Sequence, residues 1–208
     1  EQFGLPIGRF EGVEEALARI GGRCYQMDAA RRLTLQGLDA GERPAVITAI
    51  LKYQLTERGR QVVNDAMDVQ AGSGVMLGPR NIMGRYYQVM PVAITVEGAN
   101  ILTRNLIVFG QGAVRAHPYL LDEMLAAQDD DADRALDRFD PLLLAHAAYA
   151  LGNAARGFWL GLTHGRIAQV PGDGDLGRYQ QRVAWLSAAF AFAADVTLLL
   201  VGGDLKRR

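Results

Sequence analysis

Apolar side chains recur along this chain at intervals of three and four residues, the spacing that places them on one face of an α-helix. The first stripe contains Val13, Leu17, Ile20, Cys24 and Met27 and extends to about Gly41. A second runs from about residue 47 to residue 69 and ends near a glycine-containing turn at 71–74. No long alternation of apolar and polar positions indicates a β-strand. The pattern therefore predicts an all-α chain.

Shorter helices are predicted after the second stripe. One covers about residues 79–87 and breaks before Pro91, because proline disrupts a helix interior. The next begins at Glu97 and runs to about residue 127, with bends at residues 110–112 and near Pro118. Short connections between amphipathic helices favour an up-and-down helical bundle.

The last third of the chain carries two more helical patterns, over 132–167 and 183–203. The second is long enough to span a bilayer, and Asp195 is its only charge. A carboxylate near the bilayer centre costs at least about 2.5–3.5 kcal/mol. We therefore favour a helix that is buried or faces a partner over one that spans, and leave peripheral contact with a membrane open.

The best domain boundary is the polar run at residues 128–131. It divides the chain into a bundle over residues 1–127 and a helical C-terminal extension over 128–208, which we expect to be cut short. The alternative is that these acids begin a helix, since negative charge suits a helix N-terminus.

Composition narrows the possible functions. Twenty-two basic and 23 acidic residues leave a net charge of −1, which gives no electrostatic case for nucleic-acid binding. The single cysteine excludes an internal disulfide framework. The histidines, His117, His146 and His164, are scattered without the spacing of metal ligands, so no metal site is predicted.

One carboxylate is a candidate for catalysis. Glu97 follows a mostly apolar segment and precedes Gly98. Burial by Val92, Ile94 and Val96 would disfavour its charged form and raise its pKa towards the range of a general base. Gly98 would leave room for a substrate to come close. The alternative is a first-turn glutamate stabilised by the helix dipole.

Three segments carry a resemblance to a known family. Residues 96–104, Val-Glu-Gly-Ala-Asn-Ile-Leu-Thr-Arg, resemble the Glu-Gly-Thr/Ala-Asn-x-x-x-Arg segment of acyl-CoA dehydrogenases, whose glutamate is the catalytic base. Residues 2–7, Gln-Phe-Gly-Leu-Pro-Ile, resemble the family's Arg-x-x-Phe-Gly-x-x-Ile stretch. Residues 65–74, Asp-Ala-Met-Asp-Val-Gln-Ala-Gly-Ser-Gly, resemble its Asp-Ala-x-Gln-x-x-Gly-Gly-x-Gly turn. The segments keep the family's order, and the tail resembles the C-terminal extension of large bacterial fatty-acid β-oxidation dehydrogenases.

The resemblance implies a reaction. Glu97 would remove the α proton of a fatty acyl-CoA thioester while the β hydride passes to FAD, which gives trans-2-enoyl-CoA. It also implies electron-transfer flavoprotein as the electron acceptor, a homo-oligomer, and a cytoplasmic location, with attachment at the inner membrane open. We expect the chain to be part of a longer polypeptide whose upstream domains hold the flavin ring, so that it does not turn over acyl-CoA alone.

The resemblance also implies cofactor contacts. Phe3 and Gly72 match residues that touch the adenine and pyrophosphate end of FAD, usually across a subunit interface. Asp68 stands where the family commonly has glutamine, and its charge would repel a pyrophosphate. Ala99 and Ile101 stand where many members have a flavin-contacting threonine and glutamine, so only backbone contacts would survive there. The alternative for the glycine turn is a plain helix C-cap.

Two other functions compete with this interpretation. The chain could be a helical module without chemistry of its own, which mediates oligomerisation or membrane attachment. It could also resemble flavin monooxygenases that share the bundle. Those relatives generally lack the glutamate, so Glu97 argues against them.

Overall fold

The computed structural model describes residues 1–105 and 112–202, which contain α-helices and no β-strand. The predicted all-α fold class is therefore confirmed. A 3-10 turn at Ile7–Arg9 precedes the first helix. The α-helices in the described ranges are α1 (Glu11–Asp39), α2 (Ala45–Gln70), α3 (Gly72–Val75), α4 (Gly84–Thr95), α5 (Asn100–Leu102), α6 (Gly112–Ala116), α7 (Leu120–Ala126), α8 (Ala132–Leu162) and α9 (Gly174–Val201).

The chain forms two compact units, Glu1–Gly112 and Ala113–Arg208. In the first unit, α1 and α4 both pack against α2. In the second unit, α8 packs along α9, and α7 packs against α8. The division falls earlier than the predicted boundary between residues 127 and 128, because α7 belongs with α8.

An ion cluster joins α1 to α2 in the first unit. Nη2 of Arg19 lies 3.0 Å from Oδ1 of Asp65, and Nη1 of Arg23 lies 2.5 Å from Oδ2. The hydrogen bond from Arg19 is the main cause that lowers the pKa of Asp65, while desolvation opposes it. Asp65 opens the 65–74 motif, and in this fold it serves to hold two long helices together.

The predicted break before Pro91 is wrong, because α4 continues through Pro91 to Thr95. Proline removes one helical hydrogen bond, so packing must compensate for it. The two helices approach closely beside Pro91, since a Cβ at Gly59 of α2 would lie 3.2 Å from Cε of Met90. Contact with α2 thus overrides the local preference.

The prediction of one helix from Glu97 to residue 127 is also wrong. Glu97 lies in a turn, and α5 begins only at Asn100. Two further short helices, α6 and α7, are separated by a turn that contains the predicted bend at Pro118. The predicted bend at residues 110–112 falls mostly outside the described residues.

The acidic run at 128–131 directly precedes α8, and its last residue is the N-cap, which agrees with the alternative interpretation of a helix start. The carboxylate of Asp131 accepts hydrogen bonds from the backbone N–H groups of Asp133 and Arg134, both at 3.2 Å, and so caps α8. A hydrogen bond from Arg134 is the main cause that lowers the pKa of Asp129 to about 2. Charge and capping together fix the start of α8.

The last helix is mostly exposed within the chain, so of the two expected alternatives, buried or partner-facing, the first is wrong. By length and composition α9 could cross a membrane, with a mean hydropathy of 1.9 over its most apolar window. Only 6% of that window is buried within the chain. Phe190 is 75% exposed and Leu199 is 85% exposed. The chain itself therefore leaves much of this apolar surface uncovered.

The Asp65 cluster predicts a pH dependence of stability. Because the pKa of Asp65 is lower in the folded state, its contribution is present above about pH 4, the ordinary aspartate pKa, and is lost as the pH falls below it. We expect Asp65→Asn to lower Tm at pH 7 by a few degrees, at about 2–4 °C for each kcal/mol lost. The difference from wild type should shrink by pH 3 in thermal unfolding. Asp39→Asn, which changes an exposed aspartate of α1 that makes no ion pair among the described residues, is the control. An unchanged difference at pH 3 would contradict the role of Asp65.

Candidate functional site

The Glu97 turn, residues 96–99, lies at the corner between α4 and α5. Val96 is extended, with φ −74° and ψ 156°. Glu97 and Gly98 follow with φ of +53° and +93°, both in the left-handed region. Glycine adopts this conformation readily, whereas a glutamate there is strained. Two successive left-handed residues reverse the chain sharply and place Glu97 at the apex.

The expected shielding of Glu97 is wrong for this chain. Glu97 is exposed, and Val92 and Val96 are about half exposed. In the part of the chain that the structure describes, no hydrogen bond or ion pair engages the Glu97 carboxylate. The fold therefore presents this carboxylate outward, at a strained position and free to meet another group.

Lys52 of α2 holds the Glu97 turn from the opposite side. Its Nζ donates to the backbone oxygens of Ile94 at 3.1 Å and Gly98 at 2.8 Å. It also donates to Oδ1 of Asn100 at 2.7 Å. These acceptors belong to the end of α4, the turn and the start of α5. A single half-buried ammonium thus binds all three parts of the corner to α2.

Asn100 completes this network and is only 3% exposed. Its Nδ2 donates to Oγ1 of Thr56 and Oε1 of Glu57, both at 2.9 Å. The reverse orientation of the amide would set its NH₂ against the Lys52 ammonium, so the hydrogen bonds fix the orientation. Oγ1 of Thr103 adds a bond to the Gly98 oxygen at 3.2 Å.

The sequence interpretation missed Lys52 and the part played by Asn100. Lys52 lies 42–48 residues from its acceptors, so no local spacing joins them. One compositional signal was available, because the chain has only two lysines, Lys52 and Lys206, against twenty arginines.

Phe3 lies on a tight turn before α1. Backbone hydrogen bonds of 2.8 and 3.0 Å pair Gln2 with Leu5, and Phe3 and Gly4 have φ of +52° and +74°. The ring of Phe3 is 88% exposed and meets Phe10 only edge-on, with centroids 6.5 Å apart. An exposed aromatic ring on a fixed turn can stack on another flat group.

The junction of α2 and α3 contains two more candidate residues. Gly72 is exposed, with open space where a side chain would lie, and Asp68 is exposed one turn earlier. Ala71 ends α2 with φ +54° and ψ −134°, a conformation that suits the glycine found there in the family pattern. The C-cap interpretation of this turn is therefore correct. Whether Gly72 and Asp68 also contact a cofactor stays a prediction.

The remaining candidates flank Glu97. Gly98 is half-buried, and a Cβ there would lie 3.3 Å from Oγ1 of Thr103. Ala99 is half-buried, and Ile101 is 73% exposed. The candidate residues thus occupy three places along the first unit: the turn at Phe3, the α2–α3 junction and the α4–α5 corner.

The second unit contains a polar cluster that the sequence interpretation missed. Nε2 of His117 lies 2.8 Å from Oδ1 of Asp195, and Nε2 of His146 lies 3.4 Å from the same oxygen. Nδ1 of His146 lies 2.8 Å from Oε1 of Glu123. These histidines, predicted to be scattered, are neighbours because α7, α8 and α9 pack together.

Two histidines and a carboxylate could in principle hold a metal ion, with ligand atoms within 4.8 Å of one another. The hydrogen bonds of His117 argue against this use. Its Nδ1 accepts from two backbone N–H groups at the start of α7, at 3.2 and 3.1 Å. Nε2 must then carry the ring proton and donate it to Asp195, which leaves no lone pair for a metal. The cluster is better described as a hydrogen-bonded clasp between helices.

Two family models match the chain. Residues 1–110 match a model described as "Acyl-CoA dehydrogenase, C-terminal domain", which covers more than half of the chain. Residues 114–208 match a model described as "Acyl-CoA dehydrogenase, C-terminal, bacterial type". The junction between the matches coincides with the division into two compact units. No solved structure matches the chain.

Hydrogen bonding and metal binding at the clasp predict different effects of mutation and of added zinc on thermal unfolding. We expect His117→Ala to cost about 1–3 kcal/mol, because it leaves the buried Asp195 carboxylate without its shortest hydrogen bond. Excess zinc or a chelator should shift Tm by less than about 1 °C, since an ion that does not bind cannot stabilise. Thermal unfolding measures both, and His164→Ala, an exposed histidine outside the clasp, is the control. A large zinc stabilisation that His146→Ala removes would contradict this interpretation.

Proposed function

Because the chain belongs to the acyl-CoA dehydrogenase family, we propose that Glu97 is the base in a flavin-dependent α,β-dehydrogenation of fatty acyl-CoA. The observation that carries the proposal is the Glu97 turn. No described residue hydrogen-bonds or pairs with the Glu97 carboxylate, its backbone is left-handed, and strained residues of this kind concentrate at functional sites. The resemblance of residues 96–104 to the family's base segment supports the same assignment.

The chemistry requires a carboxylate in a fixed position. The C–H bond next to a thioester carbonyl is a weak acid, so the base must be aligned with it and water excluded. Glu97 takes this α proton and becomes a carboxylic acid, while the electron pair left on the carbon delocalises towards the thioester oxygen. Since Glu97 is exposed in this chain, the substrate and the rest of the enzyme must exclude the water.

The cofactor in this proposal is FAD, which accepts the β hydride when it is bound. Phe3 offers an exposed ring for stacking, and Gly72 offers open backbone. Both suit the adenine and pyrophosphate contacts that the resemblance implies. The exposed carboxylate of Asp68 does not suit a pyrophosphate. Ala99 and Ile101 can contribute only backbone polar groups.

The proposal extends to the partners of the complete enzyme. Fatty acyl-CoA is the substrate, trans-2-enoyl-CoA the product and electron-transfer flavoprotein the electron acceptor, in a homo-oligomer located in the cytoplasm. The chain alone is proposed to be inactive, because the groups that hold the flavin ring are expected outside it.

A second candidate function rests on α9. Its exposed apolar surface includes Phe190 and Leu199, and uncovered apolar surface commonly marks an interface. The second unit could therefore act as an assembly module, with peripheral membrane contact as the alternative use of this surface. This function does not depend on Glu97.

The base assignment is tested by Glu97→Gln in the complete, flavin-loaded enzyme. We expect kcat with palmitoyl-CoA to fall at least about 10²–10⁴-fold, the usual contribution of a general base. Flavin content and oligomeric state should not change, because no hydrogen bond or ion pair of the carboxylate is found among the described residues. Glu14→Gln, an exposed glutamate of α1, is the control. Full activity in Glu97→Gln would refute the assignment.

The assembly function is tested on α9. We expect the double variant Phe190→Ser and Leu199→Ser to weaken self-association by about tenfold or more, because it removes apolar area from the contact. Light scattering coupled to gel filtration measures the association, and flotation with vesicles tests the membrane alternative. Ser187→Ala, an exposed position on α9, is the control. If neither the mass nor the flotation changes, the exposed apolar surface of α9 mediates neither assembly nor membrane contact.

A further inference from the structure

The choice of lysine at position 52 needs a physical reason. Twenty of the 22 basic residues are arginine, and Lys52 is the only lysine before residue 206. Arginine and lysine are both helix formers, so helix propensity does not explain the exception. The contacts of the Lys52 ammonium group explain the exception.

Three acceptors converge on Nζ of Lys52. They are the backbone oxygens of Ile94 and Gly98 and Oδ1 of Asn100, at 2.7–3.1 Å. An ammonium has three N–H groups around one compact centre, so one atom can serve all three acceptors. A guanidinium is flat and holds its donors in a fixed fork, which does not fit acceptors that converge on a single point.

Each acceptor controls a different part of the corner. The Ile94 oxygen is among the last carbonyls of α4, which have no partner within their helix. The Gly98 oxygen belongs to the peptide group between Gly98 and Ala99, one residue beyond Glu97. Asn100 begins α5, and its amide is anchored on α2 through Thr56 and Glu57. Lys52 therefore fixes the backbone on both sides of Glu97.

We propose that Lys52 is a positioning residue that, together with Asn100, holds the strained turn so that the Glu97 carboxylate points at the substrate α carbon. This inference rests on the proposed role of Glu97. Lys52 touches neither the substrate nor the reacting atoms, and it acts through the backbone of the turn. Loss of its hydrogen bonds frees the turn to leave the left-handed conformation and misaligns the base.

The experiment compares Lys52→Met, Lys52→Arg and the control Arg58→Met in the complete, flavin-loaded enzyme. Arg58 lies six residues further along α2 and makes no ion pair among the described residues. For each variant, kcat per bound flavin, KM for palmitoyl-CoA and the isotope effect with α-deuterated substrate are measured. Hydrogen exchange at residues 96–100 reports the turn directly.

For Lys52→Met we expect kcat per flavin to fall about 10–100-fold, the effect of a misplaced catalytic group. KM should stay within about threefold, because substrate binding is not the lost interaction. The isotope effect and the exchange at 96–100 should rise, since proton removal becomes slower and the turn looser. Arg58→Met should match wild type in all four measurements.

Other outcomes overturn the inference. If activity falls only with flavin content, while kcat per flavin and the isotope effect stay at wild type, Lys52 serves general stability. Lys52→Arg keeps charge and length and so protects the fold. Wild-type kcat and exchange in Lys52→Arg overturn the inference even if Lys52→Met does not fold.

The design separates this inference from the function it rests on. Glu97→Gln is assayed in parallel. If Glu97→Gln is active, the base assignment fails, and the exchange data still decide whether Lys52 holds the turn. If Glu97→Gln is inactive but Lys52→Met and Lys52→Arg match wild type, only the positioning role fails.

Discussion

A half-buried ammonium must be fully hydrogen-bonded, and the way Lys52 meets this requirement organises the first unit. Its three acceptors come from α4, the Glu97 turn and α5, so the corner can form only where these oxygens converge on α2. The same helix binds α1 through Asp65. α2 is thus the fixed element from which the other helices and the candidate base take their positions.

The second unit meets a similar requirement at one oxygen of Asp195: Oδ1 is paired, while Oδ2 is buried without a hydrogen-bond partner among the described residues. A carboxylate in the middle of an apolar helix is unfavourable unless it is paired. His117 and His146 pair with Asp195, while the other nitrogen of His117 accepts from the start of α7. One buried acid therefore fixes how α7, α8 and α9 pack. Asp195, which argued from sequence against membrane insertion, is also the centre of the clasp.

The sequence pattern predicted the features of the fold that depend on residues close together in the chain. Periodicity identified α1 and α2, because each presents a continuous apolar stripe, and the alternative interpretation of the acidic run located the start of α8. The helical pattern gave wrong helix boundaries at Pro91 and at Glu97, where contacts with α2 determine the structure. The polar networks were invisible because their contacts between helices join residues 23–78 positions apart. The motif resemblance located Glu97, but it could not give the conformation of the turn or the exposure of its side chain.

Because Glu97 is exposed, the groups that would shield a catalytic carboxylate from water must come from elsewhere in the proposed enzyme. The sequence suggested that the neighbouring apolar residues desolvate the carboxylate, yet Val92 and Val96 are about half exposed themselves. In the proposed enzyme, Lys52 and Asn100 fix the direction of the Glu97 carboxylate, whereas the described residues leave this carboxylate exposed. In the proposed enzyme, desolvation then arises only when the acyl chain and the other domains cover the corner. The proposed base is then protected from water only while substrate is bound, and this links proton removal to substrate binding.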